Sequence, residues 1–472
     1  MELNKSKFLS ECKDSLKELI KILNEDFKYV SILGTDCQGK NYSVYKKGAY
    51  IGSGFNNERG FVVRVYNGVN YSEFSFNEIS KENINSIAKE IRKKFNMMKS
   101  LDLRKKSYDL IEEEAIKETM TKEVKKSPMD LMDKDIINIL EEVKNIGLGK
   151  SDKIIDFKVS YEYTQVNKIF ISNKKELEQS YMWSTGDIIC LVSSGENSKY
   201  SYKGISGLKG AEILDEFSGK IEEAVQEALS LLEATPIIPG EYEVICNPDV
   251  SGLIAHEAFG HGVEMDMFIK ERAKSKEYIG KQIASPLVTM HDGAKGVNHT
   301  ASYGFDDEGV LANDTIIIKN GILERGISDS LTAFSLNEKP TGNGRRESFE
   351  RKVYTRMTNT YFQGGEDTLE DMIKSIEYGF LLESSGSGME DPKNWGIQCI
   401  VNVAREIKDG KFTGKIHSPI ILTGYVPDLL KSISMISKDV SIEGVGFCGK
   451  GYKEFIKVSC GGPYIKAKVR LG

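Results

Sequence analysis

A short segment at residues 235–240, Thr-Pro-Ile-Ile-Pro-Gly, constrains the fold of this chain more than any other sequence feature. Two prolines and a glycine in one such stretch neither continue a helix nor join the interior of a sheet, so the segment predicts a domain boundary. The chain has 472 residues, which exceeds the usual size of a single core and predicts two or three domains. Every histidine follows this boundary: His256, His261, His291, His299 and His417. Chemistry that needs imidazole is therefore expected in the C-terminal part.

The first 126 residues predict an α+β unit. Apolar residues recur at helical spacing over 7–25, and a second helix is predicted over 79–95 with Ser80 as its N-cap. Short β-rich runs, separated by Gly, Asn and Asp, lie between these helices. Lys and Glu dominate residues 101–126, which predicts a solvated helix or a linker, and we place the first boundary at its end.

The middle segment predicts a second α+β unit of the same style. A helix is predicted over 131–143 and a long helix over 211–233, with β-rich runs between them at 154–163, 168–171 and 188–193. The last segment opens with a strand at 242–246, followed by a helix that Asn247 or Asp249 would cap. The predicted fold class is α+β, with domains at 1–126, 127–235 and 236–472.

Composition excludes some classes of function. The net charge of −6 and the pI near 5.7 argue against a large nucleic-acid surface, because phosphate binding needs clustered Lys and Arg. The N-terminus carries charges every few residues, unlike a signal peptide, and no apolar run is long enough to span a bilayer. We therefore expect a cytoplasmic protein with no membrane partner. Seven cysteines scattered over the chain predict reduced thiols and not a disulfide framework.

The segment His256-Glu257-Ala258-Phe259-Gly260-His261 predicts a metal site. Imidazoles are natural zinc ligands, and a glutamate beside one of them can act as a base toward water. The spacing is i and i+5, however, which would place the two imidazoles roughly 140° apart on a regular helix. Either a π-turn or a helix end at Gly260 would bring them together, so we expect a local distortion here. Two polar residues near a helix end remain the alternative.

A metal site needs a third ligand, and several residues are available. His291, His299 and His417 are more typical of structural or surface histidines, and Glu264 and Asp266 are close only in sequence. Cys448 lies in a glycine-rich segment, 444–451, beside Lys450. A thiolate next to a cation is prepared for metal binding, whereas a buried thiol in a tight turn is the alternative.

Other polar residues are candidates for contacts with the ligands or with substrate. The first set consists of three adjacent acids, Asp306, Asp307 and Glu308. One of them is expected to accept a hydrogen bond from the outer N–H of a ligating imidazole. The alternative is that they form a polar turn on the surface. Asn343 precedes Arg345 and Arg346, which could bind a substrate carboxylate or form structural salt bridges. Arg356 and Asn359 lie along a probable strand, whose edge could pair with a peptide backbone.

Seven motifs together resemble one protein family. In chain order they are GFVVRVYNG (60–68), HEAFGHGVEMD (256–266), YGFDDEG (303–309), TGNGRRES (341–348), RMTNTY (356–361), MEDPKNWG (389–396) and GFCGKG (446–451). These motifs resemble the TldD/PmbA family over nearly the whole chain, and the H-E-x-x-x-H signature resembles its metal-bearing, TldD-type branch.

The resemblance implies a zinc metallopeptidase that degrades or trims unstructured peptides. It implies one zinc ion per chain with His256, His261 and Cys448 as ligands, and Glu257 as the residue that activates a metal-bound water. It also implies two smaller N-terminal α+β domains, a larger β-rich C-terminal catalytic domain, and assembly as a homodimer or as a heterodimer with a PmbA-type subunit. The chain departs from the family at Tyr452-Lys453, where a Gly-Gln pair is usual, and at 461–463, which is Gly-Gly-Pro instead of Gly-Gln-Pro.

Three other functions compete with this one. A scaffold or regulatory subunit with structural zinc would show a closed site of four protein ligands, and Glu264 or His299 would have to supply the fourth. Modulation of a nucleic-acid enzyme finds no support in the acidic charge balance. Hydrolysis of amides other than peptides remains open, because the ligand chemistry alone does not distinguish the substrates.

Overall fold

The computed structural model describes the backbone of residues 1–101 and 108–472, and the side chains of residues 1–97 and 108–472. The first part of the chain forms helices α1 (Lys7–Leu23) and α2 (Ile84–Leu101) and strands β1 (Tyr29–Tyr45), β2 (Gly48–Ser53), β3 (Glu58–Tyr66), β4 (Tyr71–Phe76) and β5 (Ile116–Thr121). The predicted helix at 7–25 is confirmed, whereas α2 begins at Ile84 and not at Ile79.

The Lys/Glu-rich segment 101–126 differs from the prediction. Residues 102–107 lie outside the described part of the chain, and Ile116–Thr121 forms β5, which pairs in parallel with Lys175–Ser180. This strand is mostly exposed, so its charged composition resembled that of a solvated helix or linker. Pairing along a sheet edge depends on the backbone, and composition gave no sign of it.

The middle part contributes very long strands to the same sheet. It forms α3 (Asp133–Leu148), β6 (Ile154–Ser172), β7 (Lys175–Ser194), β8 (Asn197–Gly207), a 3₁₀ segment (Ala211–Lys220) and α4 (Ile221–Leu231). The sheet order is β4-β3-β1-β6-β7-β5, with β2 added to β1 and β8 added to β7. The two runs predicted at 154–163 and 168–171 are therefore one strand, and the long helix predicted over 211–233 begins as a 3₁₀ segment.

One sheet carries two hydrophobic cores. Strands β1 and β6 pair antiparallel from Ser31 with Ser172 to Val44 with Val159, although they lie on either side of the boundary predicted at residue 126. Helices α1 and α2 cover one end of these strands, and α3 and α4 cover the other. Alternating patterns identify strands but not their partners, which is why the shared sheet was not foreseen. The division at residue 126 stays a prediction about folding units.

The C-terminal part is rich in strands, and the fold class is α+β as predicted. One sheet contains β9 (Gly240–Cys246), β16 (Tyr378–Asp391), β17 (Gly396–Lys408), β19 (Ile420–Tyr425) and β25 (Ile465–Leu471), with β18 (Lys411–His417) and β20 (Met435–Ile436) at its edges. Its order is β16-β9-β25-β19-β17, and it closes on itself because β17 also pairs with β16.

A second sheet and two hairpins stand beside this closed sheet. The second sheet contains β10 (Met290–Asp292), β11 (Thr315–Lys319), β12 (Ile322–Leu323), β15 (Asn359–Phe362), β21 (Ser441–Glu443) and β24 (Ser459–Gly462). The hairpins are β13 (Gly344–Arg345) with β14 (Tyr354–Thr355), and β22 (Phe447–Lys450) with β23 (Lys453–Lys457). Short helices connect them: α5 (Pro248–Leu253), α6 (Asp266–Ile269), α7 (Ser330–Ser335), α8 (Leu369–Lys374) and α9 (Val426–Ser432).

Helix α5 directs the chain from β9 into the metal motif. Asn247 is its N-cap, and the Asn247 side chain accepts a hydrogen bond from the Val250 N–H at 2.9 Å. Pro248 occupies the first turn, where its missing N–H has no helical partner to lose. Of the two predicted caps, Asn247 is therefore the correct one. Within the described ranges, no helix combines the length and apolar character that crossing a bilayer requires.

Candidate metal centre

A π-helical turn follows α5 and brings the two motif histidines together. Residues Ile254–Gly260 form the π-turn, and a short 3₁₀ segment, His261–Val263, continues it. The repeat of a π-turn is i to i+5, which is the spacing of His256 and His261. Their ring centroids lie 5.2 Å apart with the ring planes at 81°. The predicted distortion is confirmed, and the π-turn is the device that the chain uses.

Gly260 is needed in this turn because it has no side chain, not because of its backbone conformation. Its φ of −59° and ψ of −48° are ordinary helical values, so the expected backbone freedom is not used. A Cβ at this position would lie 2.3 Å from the Met357 Sδ, a contact that real Cβ atoms do not make. Gly260 therefore allows the buried Met357 side chain to pack directly against the turn.

Cys448 completes a cluster of three metal-binding side chains. The ligand atoms of His256, His261 and Cys448 all lie within 4.8 Å of one another, and these residues are 5%, 4% and 7% exposed. The Cys448 Sγ is 3.5 Å from the His261 Nε2. The buried Nδ1 of His256 has no hydrogen-bond partner among the described residues. Two imidazoles and a thiol are a donor set that suits zinc, and three protein donors leave one coordination position open.

The other candidate ligands lie elsewhere. The His291 Nδ1 is 3.0 Å from the Asp314 Oδ1, the His299 Nδ1 is 3.1 Å from the Ser459 Oγ, and the His417 Nδ1 is 3.2 Å from the Thr235 Oγ1. Each of these three histidines has a structural partner away from the cluster, as the sequence analysis expected.

Glu257 stands next to the cluster and is partly accessible. Its side chain is 18% exposed, and its Oε2 is 3.8 Å from the His261 Nε2. The side chain lies over Gly388 of β16, where a Cβ would approach the Glu257 Cγ to 2.5 Å. Burial raises the pKa of Glu257, although His256 and Lys450 oppose that shift. Burial also lowers the pKa of His256, which favours the neutral imidazole that a metal requires.

Glu264 holds His261 from the side away from Cys448. The Glu264 Oε2 lies 3.5 Å from the His261 Nδ1 and 3.0 Å from the Lys453 Nζ, and its Oε1 lies 3.7 Å from the Arg356 Nε. Burial alone would raise the pKa of Glu264, but Lys453, His261 and Arg356 lower it. Glu264 therefore stays ionised and orients the imidazole. A carboxylate on the outer nitrogen is the arrangement that fixes the tautomer of ligating histidines.

Lys453, one of the departures from the family pattern, has a defined place here. Its ammonium donates to Glu264, to Asp266 at 2.9 Å and to the Thr355 carbonyl at 3.0 Å. These three acceptors use its three N–H donors. Lys453 therefore holds the Glu264 carboxylate in the position from which it contacts His261.

The three adjacent acids do not contact the imidazoles of His256 and His261, so the predicted hydrogen bond to a ligating imidazole is wrong. They are also buried, so the alternative of a surface turn is wrong as well. Asp306 accepts the backbone N–H groups of Glu308, Val310 and Gly344 at 2.9–3.0 Å. Asp307 binds the Lys168 ammonium and the Arg346 N–H, and Glu308 binds Arg64 and the Ser330 N–H. Lys168 and Arg64 belong to the N-terminal sheet. Asp307 and Glu308 therefore join the two parts of the molecule, whereas Asp306 orders its own loop.

The remaining candidates make contacts within the protein. Arg356 is buried, and its Nη2 donates to the Cys448 carbonyl at 2.6 Å, which positions the β22 strand. Arg345 donates from its two terminal nitrogens to the Met357 and Lys457 carbonyls, each at 2.6 Å.

The two asparagines are equally engaged. The Asn343 Nδ2 donates to the Asp292 Oδ1 at 2.8 Å, and the Asn359 Nδ2 donates to the Gly293 carbonyl at 2.8 Å. Arg346 forms a structural salt bridge with Glu73 at 3.0 Å, which was the alternative to binding a substrate carboxylate.

Sequence reasoning missed two charged residues that face the centre. Glu390 of β16 is buried, and its carboxylate lies against Gly262, where a Cβ would approach its Oε1 to 2.7 Å. Burial raises the pKa of Glu390 well above its usual value. The Lys450 Nζ is buried as well and has no hydrogen-bond partner in the described part of the chain. Lys450 was noted only for its effect on Cys448, and no spacing rule connects Glu390 with residues 256–261.

Proteins similar to this chain include several named as metallopeptidases. The family model of the PmbA/TldA metallopeptidase C-terminal domain matches residues 239–470. A metalloprotease of Methanocaldococcus jannaschii is 30% identical over 404 residues, which cover 85% of this chain and 87% of that protein. A protein of Saccharolobus solfataricus named as a zinc metalloprotease TldD homolog is 32% identical over 231 residues, 48% of this chain and 51% of that protein.

Solved structures share the fold over nearly the full length. TldE from Thermococcus kodakarensis has a TM-score of 0.76 at 18% identity and covers 97% of this chain and 100% of its own. A Thermotoga maritima protein described as a candidate modulator of a DNA gyrase has a TM-score of 0.79 at 17% identity, with 98% and 100% covered. The family model and the long alignment to a metalloprotease show that the chain belongs to the PmbA/TldD metallopeptidase family.

Proposed function

We propose that this protein is a zinc-dependent peptidase that hydrolyses unstructured peptides. The observation that carries the proposal is the cluster of His256, His261 and Cys448, whose ligand atoms lie within 4.8 Å of one another, beside the carboxylate of Glu257. Names of relatives as metalloproteases, one of them a zinc metalloprotease, support it. We propose one zinc ion per chain, and the single cluster of this kind within the described residues supports that number.

Glu257 is the proposed base of the reaction. Zinc held by His256, His261 and Cys448 would supply a Lewis acid that polarises the scissile carbonyl and the attacking water. Glu257 accepts the proton of that water on a carboxylate oxygen and donates it to the leaving amine. The buried setting that raises its pKa suits both steps, because the carboxyl must first take up and then release the proton. Glu264 and Lys453 keep His261 in place throughout.

The proposal is tested by measuring zinc content and peptide hydrolysis on the same samples. Wild type is compared with Glu257→Gln, His256→Ala and Cys448→Ala, using a pool of unfolded peptides. We expect about one zinc per wild-type chain, and loss of both metal and cleavage in the two ligand variants. Glu257→Gln should keep its metal and lower kcat by about 10²–10⁴-fold, the usual contribution of a general base.

Other outcomes have distinct meanings. Zinc without cleavage in wild type would favour the scaffold alternative or a missing partner subunit. Normal hydrolysis by Glu257→Gln would remove the base assignment. A well-folded wild-type protein that binds no zinc would contradict the proposal as a whole.

We also propose that the chain works in the cytoplasm as a homodimer or together with a PmbA-type subunit. The shared fold with TldE is compatible with pairing between related chains. All seven cysteines are unpaired, which suits a reducing compartment. Light scattering on the purified chain, alone and mixed with a PmbA-type protein of the same source, measures the assembly directly. A monomer in both samples would contradict this part of the proposal.

A further inference from the structure

Two charged side chains at the proposed metal centre, Lys450 and Glu390, take no part in the proposed reaction. The Nζ of Lys450 and both carboxylate oxygens of Glu390 are buried, and none of these atoms has a hydrogen-bond partner in the described ranges. Although their charges are opposite, the two side chains do not form an ion pair with each other. Burying charged groups without partners is unfavourable, so a site that contains both needs a reason.

Glu390 lies beside the π-turn that carries the base and the histidines. It is two residues from Gly388 on β16, so the two share one face of this strand. Gly388 lies against the Glu257 side chain, and Glu390 lies against Gly262, the residue that follows His261. This face of β16 is therefore a wall of the proposed metal centre.

Lys450 belongs to the hairpin that carries Cys448 and follows that residue by two positions in β22. Burial raises the pKa of Glu257 and of Glu390, and the Lys450 ammonium is among the charges that oppose both shifts. One buried cation therefore acts on both carboxyl groups, which agrees with its place on the hairpin beside the proposed ligands.

The acids around Lys450 do not neutralise it. Asp391 accepts hydrogen bonds within its own turn, and Glu264 is bound to Lys453 at 3.0 Å. Burial raises the pKa of Glu390 well above its usual value, so this carboxyl group is mostly neutral. The positive charge of Lys450 is therefore available to an anion that forms in the centre.

Peptide hydrolysis produces such an anion. We propose that the Lys450 ammonium stabilises the oxyanion of the tetrahedral intermediate, an inference that rests on the proposed peptidase function. As water adds to the scissile carbonyl carbon, Glu257 takes a proton from the water, and the π electrons of the C=O bond move to the carbonyl oxygen. Lys450 donates a hydrogen bond to this oxygen and keeps its own proton. The electrons then return, the C–N bond breaks, and Glu257 gives its proton to the leaving amine.

The change in charge during this step favours a cation at this position. Negative charge leaves Glu257 and appears on the carbonyl oxygen, and Lys450 forms no ion pair with Glu257 in the resting protein. A donor placed where charge develops, in a site that excludes water, stabilises the transition state more than the ground state. The centre opens beside Glu257, which is 18% exposed, and the Lys450 side chain is half-buried. Rotation about the bonds of its flexible stem carries the ammonium to a carbonyl bound there.

The alternative is a structural ion pair, which the same rotation would form between Lys450 and Glu390. The two arrangements predict different effects on stability. Lys450→Met removes an unpaired buried charge in the first arrangement, so the melting temperature should be no lower than that of wild type. In the second arrangement it breaks a buried pair, so the melting temperature should fall. This readout does not depend on peptidase activity.

The test compares wild type, Lys450→Met and Lys450→Arg as full chains with measured zinc content. The substrate is a peptide that wild type cleaves in the pool of unfolded peptides, and the probe is its phosphinic analogue, in which a tetrahedral anion replaces the scissile amide. We expect Lys450→Met to keep its zinc and to lower kcat by about 10²–10³-fold with little change in KM. Calorimetric titration should show a similar loss of affinity for the probe. Lys450→Arg should recover part of both, because it keeps the charge.

Lys144→Met is the matched control, because Lys144 of α3 is a buried lysine that has a carboxylate partner, Glu141, in the same helix. The control should leave kcat and probe affinity unchanged. Three results for zinc-loaded Lys450→Met would each overturn the inference: a kcat near that of wild type, a loss confined to KM, or a lowered melting temperature with unchanged probe affinity. Wild type that binds zinc but cleaves no peptide would instead contradict the proposed function, and the inference with it.

Discussion

At the scale of single residues, the proposed metal centre depends on charges that are far apart in the sequence. Glu264 follows His261 by three residues, whereas Lys453, which binds Glu264, lies on the hairpin of Cys448. Arg356 joins the same group through its contacts with Glu264 and the Cys448 carbonyl. Glu264, Lys453 and Arg356 thus form a network around the proposed ligands, so changes at these residues should alter metal binding.

Glu264→Gln should weaken zinc binding. The variant keeps the shape of the side chain but removes the charge that orients the His261 imidazole, and partners of this kind contribute about 10–100-fold to metal affinity. Competition with a chromophoric chelator measures the affinity. Glu454→Gln is the control, because it makes the same charge change at a half-buried position on the hairpin that carries Cys448, where Glu454 faces Arg351. Equal affinity in the two variants would contradict the role of Glu264.

The His291–Asp314 pair predicts a dependence of stability on pH. Burial alone would lower the pKa of His291, but its hydrogen bond with Asp314 and the charge of Asp314 raise it. The stabilisation is therefore complete below the ordinary pKa of histidine and is lost as pH rises through the raised value. Asp314→Asn should lower the free energy of unfolding by about 1.5–3 kcal/mol at pH 5.5 and by much less at pH 9. A constant difference from wild type across this range would exclude the effect.

Residue types and spacing predicted only part of this centre. The motif predicted His256 and His261 as metal ligands and Glu257 as the base. Cys448 was one of several candidates for the third ligand, and only the resemblance to the family favoured it over the others. The contact with the ligating imidazole that was predicted for residues 306–308 is made by Glu264, which was considered only as a candidate for the third or fourth metal ligand. Lys453 and Glu390 gave no signal, because contacts between distant segments are set by tertiary structure.

At the scale of elements, the π-turn is the feature on which the centre is built. The i and i+5 spacing of its histidines required such a turn, and the spacing alone was sufficient to predict a distortion. The need for glycine at position 260 was not predictable, because it arises from the close packing of Met357, which is distant in sequence, against the turn. The same difficulty applies to β5 and to the pairing of β1 with β6, where the strand partner and not the strand pattern decides the structure.

Gly260→Ala should test the close packing of the π-turn. The added methyl group meets the Met357 Sδ in a fully packed interior, and overpacking of this kind destabilises a protein by about 1–3 kcal/mol. Combining it with Met357→Ala provides space, so the double variant should lose less free energy of unfolding than the sum of the two single variants. Urea unfolding measures all four proteins. Additive losses would show that the methyl group is accommodated elsewhere.

At the scale of the whole molecule, buried ion pairs fasten the N-terminal sheet to the C-terminal part. Arg64 binds Glu308, Lys168 binds Asp307, and Glu73 binds Arg346, with each pair crossing the boundary predicted at 235–240. Asp307 and Glu308 of the YGFDDEG motif and Arg346 of TGNGRRES therefore connect the two parts of the fold. Trp183 of the same sheet also contacts the Phe447 ring and the Lys457 ammonium of the hairpin that carries Cys448.

Breaking one of these pairs should be costly, whereas removing both partners should be less so. Arg64→Met leaves the buried Glu308 carboxylate without its cation, and loss of one partner of a buried pair destabilises proteins by about 3–5 kcal/mol. Glu308→Leu together with Arg64→Met removes both charges, so its loss should be smaller than the sum of the single losses. The half-exposed pair Arg405–Glu383, within the closed C-terminal sheet, is the control and should contribute about 0–1 kcal/mol. Urea unfolding followed by circular dichroism measures the free energy of unfolding of each variant. If the losses at Arg64 and Glu308 are additive, or as small as those of the control pair, these charges do not hold the two parts together. Apolar contacts would then be responsible.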